Sequence, residues 1–177
     1  APAAQRRTRA QQRNGIVSAV IVEWDKDTKE IVWSWSVFDH YNMSDYDQVG
    51  GTWTEAYISL HYDWTHVNAV IYDDEESCLY ISTRHLSRIT KIDYPSGEVV
   101  WNMGRDMPSG DVTLGNDLGF SFQHSLQKLE NGNLLTFDNG NLAPEIWLQK
   151  LLRKQVKIAL PNRVLGILRE AKGCYLF

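Results

Sequence analysis

The residues best suited to chemistry near neutral pH in this chain are its five histidines, His40, His61, His66, His85 and His124. Imidazole changes charge in that range and attacks as a nucleophile while neutral. Taken at random, any one of them reads as a packed or surface side chain. His66 and His124 differ, because they hold equivalent places in two sequence repeats. With Asn68 and Arg84, placed at the same end of neighbouring strands, they make a cationic, hydrogen-bonding cluster suited to an oxyanion. No carboxylate stands at matching positions, which argues against a catalytic metal, and nothing in these residues calls for a cofactor. His61 and His66 alone have a close spacing resembling metal ligands, and along one strand they would face opposite sides.

The element that must position these groups is the stretch from Asp63 to Gly104. Apolar runs at 67–72, 78–82, 89–92 and 99–101 alternate with turns, of which Asp73-Asp74-Glu75-Glu76-Ser77 and Tyr94-Pro95-Ser96-Gly97 are the clearest. Four short strands in about forty residues is the size of one β-propeller blade. His66 and Asn68 open its first strand, and Arg84 and His85 close its second, where a blade approaches a central channel.

Half of this unit recurs on either side. Ser18 to Phe38 reads as strand, turn, strand, with Ile31-Val32-Trp33 matching Val99-Val100-Trp101 at an offset of 68 residues. The Asp-x-Asp of its turn lacks the glycine of a calcium loop and reads as a hairpin. Phe120 to Asn141 repeats the first half of the unit, with His124 in the place of His66 at an offset of 58 and Glu130 to Asn133 as the turn. Two loops, 39–62 and 105–119, are long enough to be functional or locally ordered, and the first is expected to lie over one face. The expectation is an all-β chain, a β-propeller fragment of about two blade-equivalents over residues 15–141. Closed propellers use four to eight blades, so a larger propeller is implied.

The totals agree with this class. Apolar residues make up 43%, and seven Trp with eight Tyr suit pleated faces. No apolar run is long enough to span a membrane. The net charge of −4 is unevenly spread. Residues 1–14 hold four Arg and no acid, and residues 142–177 hold seven Lys or Arg against Glu145 and Glu170. The middle is strongly acidic and repels phosphate, so nucleic-acid binding could reside only in the basic ends, which read more simply as solvated tails, and no nucleic-acid partner is expected. Residues 1–14 read as a disordered basic segment, without the apolar core of a signal peptide. Residues 142–177 form a basic C-terminal segment in which Leu148, Leu152, Val156 and Leu160 follow helical spacing, with Pro161 as a stop. It is either a helix packed on the last blade or a stretch read out of frame after Asn141. A disulfide between Cys78 and Cys174 is left open.

Several motifs together resemble the bacterial and archaeal aryl-sulfate sulfotransferases. They are Asp63-Trp64-Thr65-His66-Val67-Asn68, Ser82-Thr83-Arg84-His85-Leu86-Ser87, Ile92-Asp93 with Val100-Trp101, Gln123-His124, Asn131-Gly132-Asn133 and Phe137-Asp138-Asn139-Gly140-Asn141. The resemblance spans about residues 18–141. It implies a six-bladed propeller that moves a sulfuryl group from an aryl sulfate to a phenol through a covalent sulfohistidine, without the nucleotide donor PAPS. It implies His124 as nucleophile, and His66, Asn68 and Arg84 as ligands of the sulfuryl oxygens, with His66 also handling a proton. The family's further histidine, from an earlier blade, has no clear counterpart, and His40 is no secure substitute. Ser125 stands where an acidic residue is common. The full-length parent would be periplasmic or secreted, and this chain alone inactive. The alternatives are a non-catalytic propeller scaffold or quinone-cofactor repeat protein, and a carbohydrate-binding module using the many Trp and Tyr.

Overall fold

The computed structural model describes residues 15–115, 118–142, 156–160, 163–167 and 174–176. In chain order the elements are β1 (Gly15–Val17), β2 (Val20–Trp24), β3 (Ile31–Ser36), α1 (Val37–His40), α2 (Thr52–Ser59), β4 (His61–Asp63), β5 (Val67–Asp73), β6 (Cys78–Thr83), β7 (Arg88–Asp93) and β8 (Val99–Gly104). They continue with β9 (His124–Lys128), β10 (Leu134–Phe137), β11 (Val156–Leu160), β12 (Arg163–Ile167) and β13 (Cys174–Leu176). β5, β6, β7 and β8 form a four-stranded antiparallel meander in that order, as the apolar runs and turns from Asp63 to Gly104 require. β2–β3 and β9–β10 are the expected hairpins on either side. Among the described residues the sheets are small and none closes on itself.

Every residue of β6 is buried, because both faces of the central sheet are covered. On one face Cys78 and Tyr80 join Ile89, Met103, Leu126 and Leu134. On the other, Leu79 and Ile81 join Ile92, Trp35, Tyr62 and Trp64. Fully burying a side chain such as Ile81 or Ile89 contributes about 1.5–3 kcal/mol. The β2–β3 hairpin is docked by indole donors: Trp33 Nε1 to the Pro95 carbonyl and Trp35 Nε1 to the Gly97 carbonyl, both 2.9 Å. Its far face is uncovered, with Val20, Val22, Trp24 and Val32 each about half exposed.

The hairpin turn at Asp25 is a turn and not a cation loop, since the Asp25 carboxylate accepts the backbone N–H groups of Asp27 and Thr28 at 2.9 and 2.7 Å. The long loop 39–62 is ordered by α1, α2 and β4, the last pairing in parallel with β1.

One expectation is corrected, and the open question of a Cys78–Cys174 bridge is answered. The helix read across Leu148 to Leu160 is replaced, where the residues are described, by strands: β11 pairs antiparallel with β12, and β13 pairs antiparallel with β10. A spacing of four residues fits two strand repeats as well as one helical turn, and Val156, Ile158 and Leu160 alternate. The Cys78–Cys174 bridge is not made. Cys78 is a free thiol buried in the core, and the Cα register partner of Cys174 is Phe137. Residues 1–14, read as disordered, and most of 142–155 lie outside the described residues.

Candidate functional site

The site is built on the turn between β4 and β5. The Asp63 carboxylate accepts the His66 backbone N–H through Oδ1 at 3.1 Å, and its Oδ2 stands 2.6 Å from the His66 ring Nδ1. This double hold keeps His66 at φ +50°, a left-handed conformation uncommon outside glycine. His85 follows β6 and closes on the same turn. Its backbone N–H bonds the Thr65 carbonyl at 3.1 Å, and its Nδ1–H bonds the Asp63 carbonyl at 2.6 Å. The two imidazoles stack with centroids 4.8 Å apart and planes 29° from parallel.

Arg84 joins the same cluster from the end of β6. Its backbone N–H bonds the His66 carbonyl at 3.1 Å, and its guanidinium lies 4.8 Å from the centre of the Phe122 ring. The His85 ring meets Phe122 from another side at 5.8 Å. No ion pair of Arg84 with a described carboxylate is present. Phe122 is buried and left-handed at φ +55°, pinned by a hydrogen bond from its N–H to Ser87 Oγ at 3.2 Å. Gly50 makes room for it, since a Cβ there would lie 2.2 Å from Phe122 Cζ.

Asn68 and His124 are joined through Gln123. The Asn68 side-chain amide donates to the Gln123 carbonyl at 2.8 Å, one residue before His124. The Gln123 amide is wholly buried and donates to Ser82 Oγ at 3.1 Å and the Arg88 carbonyl at 2.9 Å. It brackets the start of β9 to β6 and β7. Both repeats bulge at the same place. The β5–β6 register steps from Val67–Thr83 to Ala69–Ser82, leaving Asn68 unpaired. The β9–β10 register steps from His124–Phe137 to Gln127–Leu135, with Ser125 at φ +58° in the bulge. Bulges of this kind re-aim side chains beside active sites. The His124 ring makes no hydrogen bond or ring contact with a described residue.

His66, Arg84 and His85 are thus brought together, and Asn68 is tied to the backbone beside His124. His40 is elsewhere, stacked on Trp35 at 4.5 Å. The exposed His61 ring bonds the Ser59 carbonyl at 3.0 Å. Sequence reasoning placed Asp63 and Gln123 within motifs but gave them no role, and it passed over Phe122. The Asp-x-x-His spacing was a usable signal for the first, since an aspartate often caps a turn of that length.

The electrostatics follow from these contacts. Burial pushes the Asp63 carboxyl up, but the hydrogen bond and charge of His66, with His85, outweigh it and hold it below its usual 3.8. Burial lowers His85 below the ordinary 6.5, and the positive fields of His66 and Arg84 act in the same direction. His85 is therefore neutral in the fold at neutral pH. Asp63, His66 and His85 offer ligand atoms within 4.8 Å of one another, as do Asp73, Glu76 and Cys78. In the first group the ring Nδ1 atoms already bond to Asp63. In the second, Lys128 pairs with Asp73 and Glu76, and Lys91 with Glu76. Beside His85 lies an open cleft of about 220 Å³, walled by Tyr46, Val49, Arg105, Met107, Pro108 and Leu142 from the two long loops and the segment after β10.

The family model described as Arylsulfotransferase (ASST) matches residues 1–147, most of the chain. No curated protein matches it.

Proposed function

Because the chain belongs to the arylsulfotransferase family, we propose that it carries part of a site that moves a sulfuryl group from an aryl sulfate ester to a phenolic acceptor. The observation that carries this reading is the convergence of His66, His85 and Arg84 at one end of β5 and β6, with Asn68 tied to the residue before His124. In the first half-reaction a neutral His124 nitrogen attacks sulfur. The N–S bond forms as the S–O bond to the aryl oxygen breaks, and that oxygen leaves with the bonding pair. His66 in its doubly protonated form gives it the Nε2 proton and becomes neutral. In the second half-reaction His66 takes the proton of the incoming phenol, whose oxygen attacks sulfur and releases the histidine.

Sulfuryl transfer, like phosphoryl transfer, spreads negative charge over equatorial oxygens, so fixed donors stabilise the transition state. Arg84 suits that role because no described carboxylate neutralises it. Asn68 uses one amide N–H on Gln123 and keeps the other for a sulfuryl oxygen. The chain's repeats are read as blades of a propeller, and the uncovered apolar face of β2–β3 supports a neighbouring blade in a longer parent. By the same resemblance, that parent is periplasmic or secreted.

The test uses a longer parent that holds this chain with its neighbouring blades. Incubated with an aryl sulfate and no acceptor, it should gain one sulfuryl group on His124 and lose it when phenol is added. An adduct that peptide mapping places on His66 would reassign the nucleophile. Absence of any adduct would return the chain to the non-catalytic scaffold reading.

A further inference from the structure

We propose that Asp63 is a positioning residue, which holds the His66 imidazole in the tautomer with its proton on Nδ1 and leaves Nε2 as the atom that exchanges a proton with the phenol oxygen. The chemical purpose rests on the sulfuryl-transfer reading above. The tautomer itself does not.

An ionised carboxylate only accepts hydrogen bonds, so the 2.6 Å contact between Asp63 Oδ2 and His66 Nδ1 places the hydrogen on Nδ1. Three further constraints act on the same ring. The other carboxylate oxygen accepts the His66 backbone N–H and so fixes the left-handed turn that carries the ring. His85 stacks on it at 4.8 Å. His85 is itself held by the Asp63 carbonyl, which accepts from its Nδ1, so one residue orders both imidazoles. Rotating the His66 ring by half a turn would break the Nδ1 bond. The His66 and Asp63 side chains are 43% and 40% exposed, and ion pairs that open to water add little to stability. The contacts therefore do more to orient the ring than to hold the fold. A carboxylate that sets a histidine tautomer without becoming protonated has this effect in acyl-transfer enzymes as well.

The test is long-range nitrogen–proton NMR on the full 177-residue chain labelled at histidine, at pH 8, above the ordinary imidazole value of about 6.5. His66 should show a protonated, pyrrole-type Nδ1 and an unprotonated, pyridine-type Nε2. Asp63→Asn is the discriminating variant. Asparagine can still accept the His66 backbone N–H and keep the turn, but its amide can also donate to Nδ1. In that variant the two nitrogen shifts should move toward each other or exchange. A wild-type His66 with its proton on Nε2 would overturn the proposal, and this measurement decides even if the variant does not fold. A folded Asp63→Asn protein with His66 shifts equal to wild type would also overturn it. Failure of the sulfuryl-transfer reading shows elsewhere, as absence of an adduct on His124, and leaves the ring shifts as they are.

Discussion

Arg88 and Asp45 form an ion pair with both side chains fully buried, Nη2 standing 2.6 Å from Oδ2. Asp45 also accepts the Ser109 N–H at 2.8 Å and its hydroxyl at 2.6 Å, so one carboxylate ties both long loops to the central sheet. Arg88 Nε and Nη1 have no hydrogen-bond partner among the described residues, and the guanidinium lies 5.0 Å from the Tyr41 ring centre. Removing one member leaves the other charge buried and unpaired. Arg88→Met should therefore destabilise by about 3–5 kcal/mol, while Arg88→Met with Asp45→Leu should recover part of that loss. Urea denaturation of the two proteins checks it. A double variant no more stable than the single one would show that the charge is not what costs.

The pH dependence of stability should carry the signature of His85. Its folded value lies below 6.5, so the unfolded chain binds more protons as pH falls through that range. The stability it contributes is full above about 6.5 and is lost as pH falls toward the folded value. Asp63 adds the same sign further down: its contribution is full above its usual 3.8 and is lost through its lowered value. Denaturation midpoints measured between about pH 7 and 5 should fall in wild type. They should fall less in His85→Asn, which keeps a donor for the Asp63 carbonyl. Equal slopes in the two proteins would remove His85 as the cause.

Gln123 should be a bracket that tolerates loss better than reversal of its donors. Its Nε2 serves Ser82 Oγ and the Arg88 carbonyl, while its own Oε1 has no partner among the described residues. Gln123→Leu removes the bonds together with that orphan oxygen and should cost about 1 kcal/mol. Gln123→Glu puts an acceptor against the Arg88 carbonyl and should cost about 3 kcal/mol or more. Ranking the three proteins by guanidinium denaturation decides. A glutamate variant as stable as wild type would contradict the bracket.

Arg84 should stabilise charge and form no bond to sulfur. In the longer parent, Arg84→Ala should slow adduct formation by about 10²–10³-fold, as loss of one oxyanion donor does, with the adduct still on His124. The isolated 177-residue chain should turn over a chromogenic aryl sulfate little or not at all. Phenol-dependent turnover by the chain alone, or a normal rate in Arg84→Ala, would each contradict the reading.

The strands β2, β3 and β5 to β10 were legible in the residues, because alternation and turn chemistry are local, whereas β4 lay inside what read as a loop. Asp73 to Ser77, Tyr94 to Gly97 and Glu130 to Asn133 mark turns wherever they are placed, and the runs between them have period two. The repeat offsets located His66 and His124 for the same reason, while the bulge after each is a finding of the structure. Tertiary structure decided which groups meet. Asp45 and Arg88 lie 43 residues apart, and Gln123 and Ser82 lie 41 apart; no period links such positions, only the packing of a loop and of a later strand on the central sheet. At β11 local pattern was ambiguous, since Val156 and Leu160 fit a helix turn and a strand equally, and pairing with β12 settled the choice. Asp63 shows the division most clearly. Its spacing to His66 is written in the sequence, but the His85 bond to its carbonyl needs β5 and β6 folded side by side.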